Sequence, residues 1–549
     1  MKKKIAYFSA EIGLNQTMKT YSGGLGILAG DTTKAMADLK VPFCVVTLLY
    51  KKGFFEQEIQ NDYQNELEDT WDFQNILEYT GKTSTVNICG EDIIVKIWKY
   101  EVQGTSGYKV PVYYLDTDIN ENPKWAQSIT NKLYQGNRLH QEIVLGIGGV
   151  RALQSIEENE IEIFHMNEGH SSFLTLELYK QHGEKTGHWD EKHVRDKCVF
   201  TTHTPVPAGH DKFEYEEIFN ALRPETGLIP HQIKKLAGDE MLNTTKLAMS
   251  FSNHINAVSV KHGEVTRQMF PKYEIHSITN GIHANTWVHP KLQELFDRKI
   301  PDWRENNEKL NNIENISDSE LVQAHNEIKD ELIEFVNENN VTGAKLEKDV
   351  LTLGFARRFV KYKEADLIFQ DMERLKKLNK KIQFIFAGKS HINDGIGKGI
   401  MQQVIQHARD LNGQIEIAFV ENYNIDIAKK LISGCDIWLN MPIPPMEASG
   451  TSGMKAAVNG CLHFSRLDGW SIESFERNGG GFPITNRDDF YNLLEYKIIP
   501  KFYNNLTNQW VNEMKLAIGN SGSYFNTHRM AKEYIEKAYK MDYNKIKEN

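Results

Sequence analysis

The sequence predicts an α/β protein of two domains, each built on a parallel sheet wrapped by helices. The chain has 549 residues, whereas a single hydrophobic core stops growing at roughly 250–300 residues. Short apolar runs alternate with segments of helical spacing in both halves of the chain, as in parallel sheets with right-handed crossovers. A polar stretch rich in Glu, Asn and Lys separates the two halves.

The predicted strands end in small, polar or His residues. Such residues are expected where the carboxyl ends of parallel strands form an active-site crevice. The runs of the first half are KIAYFSA, PFCVVTLLY, IEIFHMN and KCVFTTHT, and those of the second half are VLTLGFARR, KIQFIFAGKS, IEIAFVENY and CDIWLNMP.

From this pattern we predict an N-terminal Rossmann-like domain over residues 1–290 and a C-terminal one over residues 291–510. The segment at about 291–348 is expected to form exposed helices that join the domains, and SDSE within it is a capping signal before a helix. Residues 511–549 have a helical, polar pattern, and we expect these helices to pack back on the N-terminal domain.

Composition limits the function classes. A net charge of −10 argues against general nucleic-acid binding and makes any cluster of Arg and Lys informative as a local anion site. The five cysteines include no CxxC pair, which is typical of reduced thiols in a cytosolic protein. The N-terminal apolar run is too short for a signal peptide, and none reaches the roughly 18 residues of a membrane span. We therefore expect a soluble cytoplasmic enzyme that binds neither nucleic acid nor membrane.

The segment EASGTSGMKAAVNG, residues 447–460, is the most specific motif. A strand and a Pro-containing loop lead into a Ser/Gly/Thr-rich turn and a helix predicted to start at Met454. Exposed N–H groups and the helix dipole at such a turn favour phosphate. Lys455 lies just inside it, where an amine can attach to a carbonyl-bearing cofactor that carries phosphate. A capped helix with a surface lysine fits the same spacing equally well.

The segment ARRFVKYK follows a predicted strand and places four cations in seven positions: Arg357, Arg358, Lys361 and Lys363. Paired guanidinium groups at a strand end suit bidentate capture of phosphate oxygens. A solvated basic face is the usual alternative, and the segment by itself does not decide between them.

Two further candidates lie in the first half of the chain. Gly23, Gly24 and Gly26 in YSGGLGILAGD let the backbone approach a ligand, although a tight turn is an equal alternative and the GxGxxG spacing is missing. His203 follows a predicted buried strand and is either a ligand-binding or a structural histidine.

Taken together, these segments resemble the glycogen and starch phosphorylase family. EASGTSGMKAAVNG is similar to that family's cofactor-lysine segment, and GGLG, TTHT, TNGI, ARRFVKYK and ENY occur in family order over roughly Phe8 to Trp470. The similarity is greatest to the compact bacterial and archaeal members. It implies the GT-B glycosyltransferase architecture, in which two Rossmann-like domains face each other across a cleft, with pyridoxal 5'-phosphate held by Lys455.

The resemblance also implies roles for individual residues. Arg358 and Lys363 would hold the substrate phosphate, and His203 would lie against the transferred glucose, which makes these three catalytic together with Lys455. Implied cofactor-binding residues are Lys455, Arg357, Thr451, Ser452, Gly453 and Tyr423. Implied substrate-binding residues are Gly24, Leu25, Asn280, Glu447, Ser449 and Gly450.

The implied activity is reversible phosphorolysis of terminal α-1,4-linked glucose from maltodextrin or glycogen. Inorganic phosphate is consumed, and α-D-glucose 1-phosphate forms with retained configuration. A homodimer is the family's expected assembly. Allosteric regulation is not expected, because the nucleotide and glucan-storage sites depend on regions that this compact chain lacks.

Several alternatives remain to be weighed. A nucleotide-sugar-dependent glucan synthase of the same fold typically carries a second glutamate eight positions after the first, and eight positions after Glu447 stands Lys455. A non-catalytic glucan-binding protein would have lost some of these positions, and none is missing. The intervals between His165, His170, His203 and His210 match no metal-ligand pattern, so no metal is expected. FAGKS and GHSSF fail the phosphate-loop and nucleophile-elbow patterns.

Overall fold

The apolar runs identified in the sequence are strands in the computed structural model, which describes residues 4–158, 160–223, 230–503 and 507–547. KIAYFSA contains the strand Lys4–Ser9, and CDIWLNMP contains the strand Ile437–Asn440. The strands Phe43–Leu48 and Leu351–Ala356 are buried along their whole length, as expected for strands covered on both faces.

The elements are numbered in chain order within the described residues. The strands are β1 Lys4–Ser9, β2 Phe43–Leu48, β3 Glu56–Gln60, β4 Tyr63–Leu67, β5 Glu78–Ile88, β6 Glu91–Gln103, β7 Lys109–Asp116, β8 Ile161–Asn167, β9 Cys198–Thr201, β10 Lys212–Glu214, β11 Met241–Asn243, β12 His254–Ala257, β13 His276–Ser277, β14 Leu351–Ala356, β15 Ile382–Ala387, β16 Ile417–Val420, β17 Ile437–Asn440, β18 Leu462–Arg466 and β19 Phe482–Ile484.

The α-helices are α1 Gly24–Asp38, α2 Lys124–Gln127, α3 Arg138–Ile143, α4 Gly149–Ser155, α5 Leu174–Thr186, α6 Glu191–Arg195, α7 Tyr215–Ala221, α8 Pro230–Ala237, α9 Thr244–Ser250, α10 Val260–Met269, α11 Ala284–Trp287, α12 Pro290–Lys299, α13 Asp318–Asn339, α14 Met372–Lys377, α15 Gly395–Asp410, α16 Ile425–Gly434, α17 Thr451–Ala457, α18 Trp470–Glu476, α19 Asp489–Leu493, α20 Ile499–Tyr503, α21 Thr507–Leu516, α22 Thr527–Glu533 and α23 Tyr543–Lys547. Further 3₁₀ and π-helical segments are Phe73–Asn75, Val144–Gly148, Gly169–Ser171, Pro207–Gly209, Asn307–Asn315, Lys361–Lys363, Leu367–Phe369, Leu494–Ile498, Ala517–Gly522 and Tyr534–Ala538.

The first of two compact units is built on a sheet of order β13-β12-β9-β8-β1-β2-β7-β6-β5. β13 through β7 run parallel, and β6 and β5 continue the sheet antiparallel. Ala6 and Phe8 of β1 pack in one apolar cluster, whereas Ile5 and Tyr7 pack in another. The sheet is therefore covered on both faces, and its strand order reverses between β1 and β8.

The second unit is built on a fully parallel sheet of order β16-β15-β14-β17-β18-β19. This is the Rossmann strand order, with the reversal between β14 and β17. The mixed α/β fold class with parallel sheets is thus confirmed in both units.

The unit boundaries differ from the predicted domains. The first unit combines Glu68–Ile278 with the segments that end at Phe54 and begin at Met530, and the second combines Phe55–Leu67 with Thr279–Arg529. The predicted domains also include residues 1–3, 159, 224–229, 504–506 and 548–549, which lie outside the described residues.

The hairpin β3–β4 belongs to the second unit although its sequence lies in the first half of the chain. Gln57 donates from Nε2 to the carbonyl of Gly388 over 2.9 Å, and its N–H donates to Asn422 Oδ1 over 3.1 Å. Gln64 donates from Nε2 to the carbonyl of Ser390 over 3.0 Å. These bonds pair the hairpin with residues that follow β15 and β16. No local sequence signal predicts such contacts, because the partners are far apart in the chain.

The helical C-terminal segment is divided between the units. α21 belongs to the second unit, and residues from Met530 onward belong to the first. There the Tyr539 hydroxyl lies 2.8 Å from His165 Nδ1, and the Tyr534 hydroxyl lies 3.1 Å from Thr201 Oγ1. The tail thus completes a buried polar network in the first unit.

The stretch predicted as an exposed connector is an integral part of the second unit. α13 begins with a capping box at Ser317, which confirms the SDSE signal. Its inner face is buried, and Lys329 and His325 reach Asp436 before β17 over 2.6 and 3.0 Å. The prediction of exposed helices is wrong for this face, because a buried carboxylate needs cationic partners.

Two other sequence expectations can be compared with the structure. All five cysteines are unpaired, with Cys89 exposed and the others buried. Among the described residues, no helix is both long and apolar enough to cross a membrane.

Removing the buried lysine should destabilise the second unit. We expect Lys329→Ala to lower the free energy of unfolding by about 3–5 kcal/mol, because it leaves the Asp436 carboxylate buried without its ammonium partner. Denaturant unfolding followed by tryptophan fluorescence measures the change. The matched control is Lys348→Ala, whose exposed ion pairs with Asp330 and Glu334 should leave the midpoint unchanged. Equal midpoints for the two variants would contradict the prediction.

Candidate active site

The second unit places a guanidinium group where its strand order reverses. Arg357 directly follows β14, and Asn440 is the last residue of β17. Arg357 donates from Nη1 to Asn440 Oδ1 and from Nη2 to Glu447 Oε2, the latter over 3.0 Å. Asn440 donates to Ser465 of β18 over 2.9 Å. Arg357 is thereby fixed at the carboxyl edge of the sheet, where doubly wound folds bind ligands.

Glu447 is shared by two cations in the interior. Its Oε2 accepts from Nζ of Lys363 as well as from Arg357, and Lys363 is 5% exposed. Burial lowers the pKa of Lys363, an effect that Arg357 increases and Glu447 opposes. Burial by itself would raise the pKa of Glu447, but Lys363 and Arg357 bring it down to about 2. Glu447 is therefore ionised and offsets part of the local positive charge.

The basic cluster of the sequence divides into two pairs. Arg357 and Lys363 are bound to Glu447, as just described. Arg358 and Lys361 are exposed, and Arg358 makes no hydrogen bond or ion pair with any described residue. The guanidinium of Arg358 is thus available to an external anion.

Lys455 is a buried residue and not a surface lysine. α17 begins at Thr451, three residues before the predicted start, directly after Gly450 in a left-handed conformation with φ +88°. Lys455 is 8% exposed, and its Nζ lies 3.8 Å from the centroid of the Trp287 ring. Ser452 accepts from Trp438 Nε1 over 3.2 Å, which ties the first turn of α17 to β17.

Several polar atoms near this segment are buried without a hydrogen-bond partner among the described residues. Such atoms are rare in native structures, because each costs about 1–3 kcal/mol when left unpaired. They are Asn280 Oδ1, Arg357 Nε, Ser449 Oγ, both ring nitrogens of His463, and Trp470 Nε1. The rings of His463 and Trp470 border Gly453, and Arg357 is bound to Glu447, so most of these atoms lie around residues 447–453. This local grouping indicates a site that a polar ligand completes.

Asn280 and Tyr423 are the two remaining predicted site residues of the second unit. The main-chain carbonyl of Asn280 accepts from Nη2 of Arg529 over 3.0 Å. Burial raises the pKa of the Tyr423 phenol, and the positive charge of Arg357 acts in the opposite direction. Tyr423 is therefore a neutral side chain within the field of Arg357.

In the first unit, His203 follows β9 and lies beside the end of β8. Its Nε2 lies 2.7 Å from Asn167 Oδ1, and its N–H donates to Glu168 Oε2 over 2.6 Å. Burial lowers the pKa of His203 to about 3, so the imidazole is neutral. Neutral Nε2–H then donates to Asn167, an arrangement compatible with either a structural or a ligand-binding histidine.

The glycine-rich loop leads into α1, which starts at Gly24. Glu11, which the sequence analysis did not single out, accepts the N–H of Ser22 over 2.6 Å and the hydroxyl of Tyr134 over 2.7 Å. A Cβ at Gly26 would meet Glu11 Oε2 at 2.8 Å, whereas one at Gly24 would meet nothing within 4 Å. Gly26 is thus required by packing, and Gly24 and the adjacent Leu25 border open space.

Comparison with known proteins identifies the family of this chain. A family model described as carbohydrate phosphorylase matches residues 230–482, and one described as starch synthase catalytic domain matches residues 4–280. The chain is 36% identical to the maltodextrin phosphorylase of Thermococcus litoralis, over 97% of this chain and 70% of that protein.

Two glycogen phosphorylases give similar values. Identity to that of Aquifex aeolicus is 36%, over 98% of this chain and 86% of that protein. Identity to that of Mycobacterium tuberculosis is 35%, over 97% of this chain and 70% of that protein. The two parallel α/β sheets and these relatives define a glycosyltransferase. The chain belongs to the α-glucan phosphorylase family, as its sequence motifs predicted.

Removing the carboxylate of Glu447 should make the thermal stability of the protein depend on added anions. We expect Glu447→Ala to lower the thermal midpoint, because Arg357 and Lys363 lose the counter-charge that offsets their burial. Inorganic phosphate should then raise the midpoint of this variant more than that of the wild type, since a bound anion replaces the carboxylate. Differential scanning fluorimetry at constant ionic strength measures both effects. Identical phosphate responses would contradict the prediction.

Proposed function

We propose that this α-glucan phosphorylase uses pyridoxal 5'-phosphate to catalyse reversible phosphorolysis of terminal α-1,4-linked glucose. The substrates would be maltodextrin or glycogen and inorganic phosphate, and the product would be α-D-glucose 1-phosphate with retained configuration. The observation that carries the proposal is the burial of Lys455 in α17, whose preceding loop holds Glu447 bound to Arg357 and Lys363 and the unpaired Ser449 Oγ.

The residues around Lys455 fit a cofactor that combines an aldehyde, an aromatic ring and a phosphate. Lys455 supplies the amine, and Trp287 supplies an aromatic face beside it. The unpaired Nε of Arg357 and the small residues Thr451, Ser452 and Gly453 suit phosphate oxygens, and Tyr423 would lie beside the ring. When bound, the cofactor would supply a second phosphate group that exchanges a proton with the substrate phosphate.

Arg358 and Lys363 would hold the substrate phosphate. Two phosphate groups at close range repel each other by several kcal/mol at partly buried sites. The guanidinium groups and ammonium of this segment offset that repulsion, and Arg358 is the one among them with no competing protein partner among the described residues. Bidentate donation by Arg358 would also orient the phosphate.

The sugar hydroxyls would be bound by polar groups of the second unit, two of which have no partner among the described residues. Ser449 and Asn280 contribute buried, unpaired oxygens, and the carboxylate of Glu447 contributes acceptor oxygens. The backbone of Gly450 would bind the sugar as well. Gly24, Leu25 and the neutral His203 belong to the first unit, and we assign them to substrate binding on the resemblance of their motifs. Such a site rejects sugars that lack a hydroxyl, because its own polar groups then stay unpaired.

A nucleotide-sugar-dependent glucan synthase is the second candidate, favoured by the starch synthase match over residues 4–280. That match ends before the segment that carries the chemistry. A glucan synthase would typically carry a second glutamate eight positions after Glu447, and this chain has the buried Lys455 there. The phosphorylase match covers this position.

Replacing the cofactor lysine should abolish activity without unfolding the protein. We expect Lys455→Ala to show no pyridoxal absorbance band and no formation of glucose 1-phosphate, because the amine that holds the cofactor is missing. Absorbance spectra, borohydride reduction with peptide mapping of the wild type, and circular dichroism test this together. Retained activity in the folded variant would refute the cofactor assignment. A wild type that stays colourless with added pyridoxal phosphate would favour the synthase.

Replacing the unpaired arginine should act on phosphate more than on glucan. We expect Arg358→Ala to raise KM for inorganic phosphate about 10- to 100-fold, the range for loss of charge-assisted hydrogen bonds, with a much smaller effect on KM for maltodextrin. Lys361→Ala, the neighbouring exposed cation, is the matched control and should behave like the wild type. Equal losses for both substrates would count against the assigned role.

A further inference from the structure

Residues 447–449, which would bind the sugar, are hydrogen-bonded to residues 468–470 in the turn after β18. The carboxylate of Asp468 accepts the N–H of Glu447 at Oδ2 and that of Gly469 at Oδ1, each over 2.9 Å. The N–H of Trp470 donates to the carbonyl of Ser449 over 3.0 Å. Residues 447–449 are thereby bound at two points to residues 468–470.

The close approach of the two segments depends on Gly469. Its φ is +56°, and a Cβ there would lie 2.5 Å from the carbonyl oxygen of Ser449. Ser471 fixes the same turn, since its Oγ accepts the N–H of Asp468 over 3.1 Å and donates to the carbonyl of Arg466 over 3.0 Å. Asp468 thus sits in a rigid turn against the backbone of Glu447.

A carboxylate at this place is energetically unfavourable. Asp468 is 1% exposed. Burial raises its pKa to about 6, a shift that the nearby Glu447 carboxylate increases and that Lys363 and the two N–H bonds oppose. The charge of Asp468 also acts on the nearby Tyr362 phenol, where it contributes to raising the pKa. An asparagine has one acceptor oxygen and could accept only one of these two N–H bonds, so a carboxylate is the side chain of this size that binds both.

We propose that Asp468 is a positioning residue for sugar binding: its carboxylate holds the backbone of Glu447 so that Glu447, Ser449 and Gly450 present their polar groups to glucose. This inference rests on the proposed function. Asp468 acts through Glu447 and does not itself touch the sugar. The charge strengthens the bond to the Glu447 N–H, because hydrogen bonds to ionised acceptors are about twice as strong as neutral ones.

The charge of Asp468 also gives its role a pH signature. Its carboxylate is ionised above pH about 6 and becomes protonated as the pH falls below that value. The wild type therefore loses the charge-assisted bond in acid, whereas the side-chain amide of an Asp468→Asn variant does not titrate in this range. The difference between the two proteins should be largest at pH 7.5 and small at pH 5.

The test compares Asp468→Asn with the wild type in glucan synthesis from glucose 1-phosphate. We expect KM for glucose 1-phosphate to rise about tenfold at pH 7.5 with a smaller change in kcat, and the ratio of the two KM values to fall toward one at pH 5. The variant removes a buried charge that disfavours the folded state, since folding raises the pKa of Asp468, but it also loses one N–H bond. The two effects oppose each other, so we expect a small change in thermal midpoint and an unchanged pyridoxal absorbance. Asp371→Asn, which also removes a carboxylate that accepts a backbone N–H, is the matched control and should match the wild type.

A double-mutant cycle makes the route through Glu447 explicit. In a Glu447→Gln background, Asp468→Asn should raise KM by a smaller factor than in the wild type, because one of the groups that it positions is already altered. Unchanged KM in Asp468→Asn, an equal KM ratio at both pH values, or full additivity in the cycle would each overturn the proposal. A wild type with no glucose 1-phosphate chemistry at all would instead refute the proposed function.

Discussion

The shared carboxylate of Glu447 is the constraint on which the geometry of the second unit's site depends. Arg357 comes from the end of β14, Lys363 from the 3₁₀ segment that follows, and Glu447 from the loop after β17. Buried cations need an anion, because an uncompensated charge in the interior costs several kcal/mol. One carboxylate therefore determines the mutual position of three chain segments.

The arrangement also suits a site that exchanges one anion for another. Glu447 supplies one negative charge to the two cations Arg357 and Lys363. Arg358 is exposed and makes no ion pair with any described residue. Arg357 Nε, Ser449 Oγ and Asn280 Oδ1 are buried without a described partner. Buried polar groups without partners lower the stability of the free protein. A ligand that forms hydrogen bonds with them stabilises the folded state when it binds.

The two family models that match the chain cover different parts of it. The starch synthase model ends at residue 280, and the phosphorylase model continues to residue 482. Shared architecture therefore does not decide between transfer from a nucleotide sugar and phosphorolysis, since function depends on the site and not on the fold. Lys455, the position that distinguishes the two proposed activities, lies in the second unit within α17.

The sequence by itself determined the family, the fold class and eight of the buried strands, and it supplied the residues proposed to bind phosphate. Apolar runs and small-residue turns are local signals, and ARRFVKYK and EASGTSGMKAAVNG are contiguous motifs that need no structure to be read. Only the tertiary structure decided the burial of Lys455, the pairing of Arg357 and Lys363 with one carboxylate, the contact of Asp468 with Glu447, and the membership of hairpin β3–β4 in the second unit. These features join segments from 21 to 365 positions apart in the chain. Local propensity carries no information about such contacts, because burial and pairing arise only when distant segments pack together.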